Sequence, residues 1–264
     1  MQPASVMSSR RSARPGTDAC LNVCGTTSPP VTLKSSPDTF RPTQRNFSRM
    51  KTLPLTASLL VMLGLAGNAS ANTNAPCASA DDAKVIQHYY DQVRPGAPPP
   101  AVARLFRMPE TAVVSAINAE HAYGVRSNRT LFEQVWKSVD GWGKDTKIGL
   151  VFTSGGMHVW NFPSSVPQTQ STTTPIWYDM YADDGAGVHG HITPQEVDQI
   201  WSLQLPTKQA GKFTRILGFY GKDGNLIVGL YASEGVKEFD ANAVVGFEKT
   251  GALLRTQPRV CSAG

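Results

Sequence analysis

Two apolar runs on either side of a short polar turn constrain this chain more than any other feature. Residues 215–220 and 226–231 are rich in aliphatic and aromatic side chains, and the turn between them ends in Asp223 and Gly224. Asp and Gly tolerate the backbone conformations that a tight turn between antiparallel strands requires. Residues 148–162 show a similar arrangement around a Gly-rich turn. The second half of the chain is therefore predicted to form β-hairpins.

A helical pattern precedes the hairpins. Asp81 and Asp82 suit the positively polarised start of a helix, and Val85, Tyr89 and Val93 then recur at helical spacing. Pro95 and Gly96 follow and are predicted to end this helix.

Two further short helices are predicted, at residues 101–106 and from Pro109 onward. The apolar face of the second contains four residues: Ala112, Val113, Ala116 and Ile117. Helices followed by hairpins predict an α+β fold, with short N-terminal helices and a large antiparallel β-sheet. Two short helices joined by a tight turn are also typical of DNA-binding motifs.

The first 71 residues differ from the rest. Residues 1–49 are rich in Ser, Pro, Thr and Arg, and are predicted to be disordered or to lie upstream of the true start. Residues 50–71 have the basic start, the short apolar run and the Ala-Ser-Ala end of a secretory signal peptide. We expect synthesis to begin at Met50, cleavage after Ala71, and a periplasmic or secreted protein whose mature form has no membrane span.

The expected mature chain consists of a linker and N-terminal helix at residues 72–97 and a domain at residues 98–264. The net charge of +5 comes from the leader, because residues 72–264 contain 17 basic and 18 acidic side chains. Nucleic-acid binding needs clustered positive charge on the folded domain, so no nucleic-acid partner is expected.

Only two of the four cysteines, Cys77 and Cys261, lie in the expected mature chain. They stand near its two ends, and exported proteins fold in oxidising compartments. Because the ends of a domain often lie close together, a Cys77–Cys261 disulfide is predicted.

The richest candidate site lies at residues 177–192. Trp177, Tyr178 and Tyr181 precede a Gly-rich turn, which leads to His189 and His191. Imidazoles beside aromatic surface suit an iron-bearing macrocycle, since a ring nitrogen can bind the metal and flat side chains can contact the ring. If the segment is extended, both imidazoles point to one face.

Four motifs of this chain resemble those of a known family. They are Phe-Glu-Gln-Val-Trp at 132–136, Gly-Trp-Gly at 141–143, Trp-Tyr-Asp-Met at 177–180 and Gly-His-Ile at 190–192. In this order, across residues 98–250, the chain resembles the haem-utilisation proteins of the ChuX and HutX type.

The resemblance implies a HemS/ChuX-like α+β fold, a homodimer and haem as the bound group. It implies that His191, the histidine of the Gly-His-Ile motif, is a haem ligand. The second histidine implicated in haem binding in this family corresponds to Phe152 here, so this chain lacks one expected ligand.

Other members of the site remain open. The second ring nitrogen of a ligating His191 needs an acceptor; the candidate carboxylates are Asp179, Asp183 and Asp184. The candidate second ligands are His189, His158, Tyr178 and Met180. Candidate partners of haem propionates are Arg215, Lys208 and Lys212. Candidate apolar contacts, besides Trp177, are Phe152, Trp160 and Phe219.

These patterns favour an exported haem-binding protein, with His191 opening onto an apolar cleft, rather than an enzyme. The alternatives are a Zn or Cu site at His189 and His191, an enzyme acting on a tetrapyrrole or another small molecule, and a structural or partner-binding module. No nucleophile elbow, phosphate-binding loop or dinucleotide motif occurs in the sequence.

Overall fold

The computed structural model describes residues 75–154 and 158–261. The expected leader and signal peptide, together with Cys20 and Cys24, lie outside the described residues.

Three short helices precede the main strands and two longer ones flank them. The helices are α1 Ala80–His88, α2 Pro99–Phe106, α3 Glu110–Ala116, α4 Arg129–Asp140 and α5 Ala241–Leu254. A single π-helical turn, Tyr89–Val93, extends α1.

The strands form two antiparallel sheets. They are β1 Ala122–Arg126, β2 Lys147–Ser154, β3 His158–Ser165, β4 Gln168–Thr169, β5 Tyr178–Tyr181, β6 His189–Ile192, β7 Val197–Pro206, β8 Phe213–Gly221, β9 Leu226–Glu234 and β10 Lys237–Glu238. The main sheet has the order β1-β7-β8-β9-β2-β3, with β10 beside β9, and the small sheet has the order β4-β5-β6. The α+β prediction is confirmed, and the β8–β9 hairpin lies where its turn residues place it.

The main sheet carries a hydrophobic core on each face, because successive side chains of a strand point to opposite sides. In β8, Leu217 and Phe219 join a core shared with α4, α5 and the small sheet. Ile216 and Tyr220 join a second core shared with α1, α2 and α3. All seven residues of α3 are buried, so in this fold the helix offers no surface to a DNA groove.

The small sheet is attached to the first core through one of its faces. Tyr178 and Met180 of β5 are buried there. The Tyr178 ring lies edge-on to Phe132 of α4, with ring centres 5.1 Å apart. Phe132 in turn contacts Phe219 of the main sheet at 5.6 Å. This aromatic chain positions β5 and β6 relative to the main sheet.

The buried face of α1 differs from the predicted one by a single residue. Val85 and Val93 are 51% and 52% exposed, whereas Ile86 and Tyr90 are buried. Two apolar stripes lie side by side on this helix, and tertiary contacts decide which of them faces the sheet.

The described part of the expected linker is fixed to the fold. Ala75 N donates to Asp198 Oδ2 at 2.9 Å, and Ala78 N donates to Ser115 Oγ at 2.8 Å. The predicted Cys77–Cys261 disulfide is present, with Cα atoms 5.6 Å apart across 184 residues of sequence. The segment before α1 is thus held by both hydrogen bonds and a covalent bond. Within the described ranges, no helix has the length and apolar character needed to cross a membrane.

Candidate functional site

The register of β5 and β6 creates the candidate site. Asp179 lies opposite His191, and Tyr181 lies opposite His189. Side chains two residues apart on a strand share a face. These four side chains therefore share the outer face of the small sheet, which we call the imidazole face. Tyr178 and Met180 point the other way, into the core.

A short hydrogen bond joins the first of these pairs. His191 Nδ1 lies 2.6 Å from Asp179 Oδ1. The Asp179 side chain is 8% exposed, whereas that of His191 is 50% exposed. Of the three carboxylates considered from sequence, Asp179 is the one that contacts His191. Because Nδ1 bonds to Asp179, Nε2 is the ring nitrogen of His191 that does not contact this carboxylate.

The loop before β5 holds Asp179 in place. Thr173 Oγ1 accepts a hydrogen bond from Asp179 N at 3.0 Å, and Gln170 N donates to Asp179 O at 2.9 Å. Two hydrogen bonds hold the pKa of the Asp179 carboxyl below its ordinary value: the larger effect comes from Thr172 and the smaller from His191. The carboxyl is therefore ionised and accepts a proton-bearing Nδ1.

The imidazole face is aromatic and open. The Tyr181 ring lies 5.4 Å from that of His189 and 6.4 Å from that of His191, and the two imidazole centres are 5.8 Å apart. Tyr181 also lines a polar cavity of about 180 Å³ that includes Asp183 and Asp184. Small-molecule pockets are typically about 300–1,000 Å³. This cavity is polar and His191 is not among its lining residues, so it is not the apolar cleft expected beside His191, whose ring is half exposed.

The predicted ligands Tyr178 and Met180 lie behind this face. The Tyr178 hydroxyl is 2.8 Å from Thr169 Oγ1, and Met180 is buried with it in the first core. Neither shares a side of the small sheet with His191. Trp177, directly before β5, is about half exposed.

Phe152 belongs to a separate aromatic group on the main sheet. It pairs with Trp160 of the edge strand β3, and its ring lies 6.3 Å from that of Phe162. Trp160 is exposed and approaches the exposed His158, with ring centres 6.2 Å apart. His158 stands two residues from Trp160 and so shares a face with it and with Phe152. His158 therefore lies on the same face of the hairpin as Phe152, the residue that the resemblance aligns with the family's second histidine.

Other candidates lie elsewhere. Arg215 is buried in β8, where its guanidinium lies over the Phe213 ring at 4.9 Å and Nη1 lies 3.4 Å from Ser233 Oγ. Lys212 pairs with Glu238 at 3.3 Å. Among the described contacts, none joins Arg215 to the imidazole face. Phe219 is fully buried and packs in the core.

Sequence reasoning did not identify Thr172 and Thr173 as part of the site. Their only sequence signal is the Pro-, Gln-, Ser- and Thr-rich composition of residues 163–175, which is typical of a long loop, although residues 163–165 lie in β3 and 168–169 in β4. The described residues include no group of three or more His, Cys, Asp or Glu side chains arranged to hold a metal ion. A bare Zn or Cu site at His189 and His191 therefore gains no support within the described part of the chain.

The two-faced main sheet, the flanking helices and the small sheet define an α+β protein with the fold of ChuX. A crystal structure of a protein from Erwinia carotovora superposes with a TM-score of 0.50 at 18% identity, covering 66% of this chain and 98% of the other. The crystal structure of ChuX gives a TM-score of 0.50 at 17% identity, covering 65% and 99%. At such identities the likeness shows the fold. No curated protein matches the chain.

One family model matches part of the sequence. Residues 125–248 match the model of the family described as haem utilisation ChuX/HutX. The match confirms the resemblance that the motifs predict, and it includes β5, β6 and the imidazole face.

Proposed function

We propose that this chain is an exported haem-binding protein of haem utilisation, and that it holds haem or a closely related tetrapyrrole through His191. The match of residues 125–248 to the haem-utilisation family supports the class of ligand. The observation that carries the assignment of the ligand residue is the 2.6 Å bond between His191 Nδ1 and Asp179, with the imidazole half exposed.

The residues of the imidazole face fit this group. An imidazole whose Nδ1 is held by a carboxylate offers Nε2 to a metal in the arrangement common among metal-binding histidines. The rings of Tyr181 and His189 lie beside it and provide flat surface. The bound tetrapyrrole would supply an iron centre that accepts a nitrogen ligand, whereas the protein holds and orients that nitrogen.

Titration of the purified protein with hemin tests the proposal. We expect a shifted Soret band, and weaker binding in His191→Ala than in His189→Ala. Both variants remove an exposed imidazole from the same face, so the difference between them isolates the contribution of the ring that Asp179 holds. Identical affinities in the wild type and His191→Ala would contradict the assignment of His191.

The second ligand is addressed by a third variant. His158 shares a face with Phe152 and is exposed, and it is our candidate for a replacement of the family's second histidine. If His158 binds the iron, His158→Ala changes the Soret position of the hemin complex. An unchanged spectrum would remove His158 from the site.

Export and assembly remain predictions as well. The disulfide supports an oxidising compartment, and the predicted signal peptide supports transport out of the cytoplasm. Fractionation of expressing cells, with N-terminal sequencing of the product, is expected to give a periplasmic or secreted chain that begins at Asn72. A cytoplasmic product that retains residues 50–71 would contradict export. Light scattering of the purified protein tests the predicted homodimer.

A further inference from the structure

The two histidines of β6 differ in their cross-strand neighbours. His191 faces Asp179, whereas His189 faces Tyr181. Both side chains are on the same strand and the same face, and their rings are 5.8 Å apart. Their surroundings therefore differ chiefly in one carboxylate: among the described contacts, Asp179 bonds to His191 and not to His189.

Asp179 is built as a fixed acceptor. Its side chain is almost fully buried, although its partner is half exposed. Its backbone is fixed on both sides by Thr173 Oγ1 and Gln170 N, and Thr172 donates to its carboxylate. A buried carboxylate with these bonds cannot follow the imidazole, so the imidazole must adopt the orientation that Asp179 sets.

This orientation has an electronic consequence. A carboxylate that accepts Nδ1–H keeps the proton on Nδ1 and leaves the lone pair on Nε2. It also raises the basicity of the imidazole as a metal ligand. A more basic, negatively polarised donor interacts more favourably with the higher positive charge of ferric iron than with ferrous iron.

We propose that Asp179 is the positioning residue of the site: it fixes the tautomer of His191 with Nε2 free and makes the site select tetrapyrroles in the ferric state. The selection of the ferric state rests on the proposed function, whereas the positioning of His191 concerns this chain alone.

The first experiment uses the protein without added ligand. Nitrogen-15 NMR of the imidazoles at neutral pH is expected to show neutral His191 as the Nδ1–H tautomer. In Asp179→Ala this tautomer loses its preference, whereas Asp179→Asn keeps an acceptor oxygen and retains it. The matched control is Asp183→Asn, because Asp183 accepts from Ser165 Oγ near the same sheet and is not in contact with His191. Unchanged His189 signals check that the variants are folded.

The second experiment measures the reduction potential of the hemin complex. We expect both Asp179→Ala and Asp179→Asn to lower the preference for ferric over ferrous haem by about tenfold or more, the scale typical of changes in groups that hold a ligand. A tenfold change corresponds to a rise of about 59 mV for one electron. Asp183→Asn should leave the potential unchanged.

The outcomes separate the two proposals. An Nε2–H tautomer in the wild type, or the same tautomer in Asp179→Ala, would overturn the positioning role whether or not hemin binds. Equal potentials in the wild type and both Asp179 variants would overturn the selection of ferric iron. If hemin fails to bind while the NMR result is as expected, the proposed function and ferric selection fail together, and the positioning of His191 stands.

Discussion

Two regions of the molecule place a carboxyl group in opposite environments: the side of the main sheet that α1, α2 and α3 cover, and the imidazole face of the small sheet. Glu110, at the start of α3, is buried against strands β2 and β9, and burial raises its pKa more than the bonds from Leu226 N and Thr153 Oγ1 lower it. Asp179 has its pKa lowered by hydrogen bonds from Thr172 and His191. One side of the molecule thus excludes water to build the fold, while the other holds a charge beside an exposed imidazole.

Because the two environments differ, substitutions in them should affect different properties of the protein. On the helix side, changes should cost stability and leave the imidazole face intact. On the imidazole face, changes should alter binding with little effect on stability. Four predictions test this separation.

The largest effect is expected from the disulfide. Replacing Cys77 and Cys261 by Ser opens a loop that spans 184 residues of sequence. In the chain-entropy description, closing such a loop contributes about 5 kcal/mol by restricting the unfolded chain. Urea unfolding should show a loss of this order, and reduction of the wild-type protein should reproduce it. A midpoint unchanged by both treatments would contradict the role of the bridge.

The next effect concerns the face of α1. Ile86→Ala should lower the free energy of unfolding by about 3 kcal/mol, because it leaves a cavity in the second core. Val85→Ala, one residue away and about half exposed, should change it by less than about 0.5 kcal/mol. Equal losses in thermal or urea unfolding would mean that the helix is rotated from the described position.

The two carboxyl groups should give opposite pH dependences. A raised pKa in the folded state means that Glu110 favours folding below its ordinary value of 4.5, and that this contribution is lost as pH rises through the folded-state pKa. A lowered pKa means that Asp179 favours folding above 3.8, and that its contribution is lost as pH falls through the folded-state pKa.

Free energies of unfolding measured against pH test these signs. Glu110→Gln should remove part of the loss of unfolding free energy that occurs as pH rises above 4.5. Asp179→Asn should remove part of the loss that occurs as pH falls below 3.8. If the two variants have the same pH profile, the contrast between the two environments does not exist.

The smallest stability effects belong to the imidazoles. His191→Ala removes a hydrogen bond to a carboxylate and should cost about 1 kcal/mol. His189→Ala removes only exposed ring contacts and should stay within about 0.5 kcal/mol. Thermal unfolding without hemin checks both values. A loss of several kcal/mol in either variant would show that the imidazole face belongs to the folding core.

Sequence predicted those parts of the fold that depend on local chemistry. The β8–β9 hairpin follows from a turn whose residues permit its backbone, with Gly224 at a φ of 79°. The strand β7, in contrast, is buried over most of its length although it contains Asp198, Gln199 and Ser202. These polar residues hide the apolar pattern by which a strand is recognised, since their burial depends on partners far along the chain.

The site shows the same limit. Sequence placed His189 and His191 on one face, because alternation along a strand is local. It left three carboxylates open as the partner of His191, because the answer depends on the pairing of β5 with β6. It could not show that Tyr178 points into the core, since that depends on contact with Phe132 of α4.

The bridge between Cys77 and Cys261 also decides how the domain would respond to a mechanical load. With the two Cα atoms 5.6 Å apart, a force applied from outside this pair is transmitted through a sulfur–sulfur bond and not through the ladders of the sheet. The strands between the two cysteines would remain unstretched until that bond is cleaved, so reduction would convert a domain that resists pulling at its ends into one that can be unravelled.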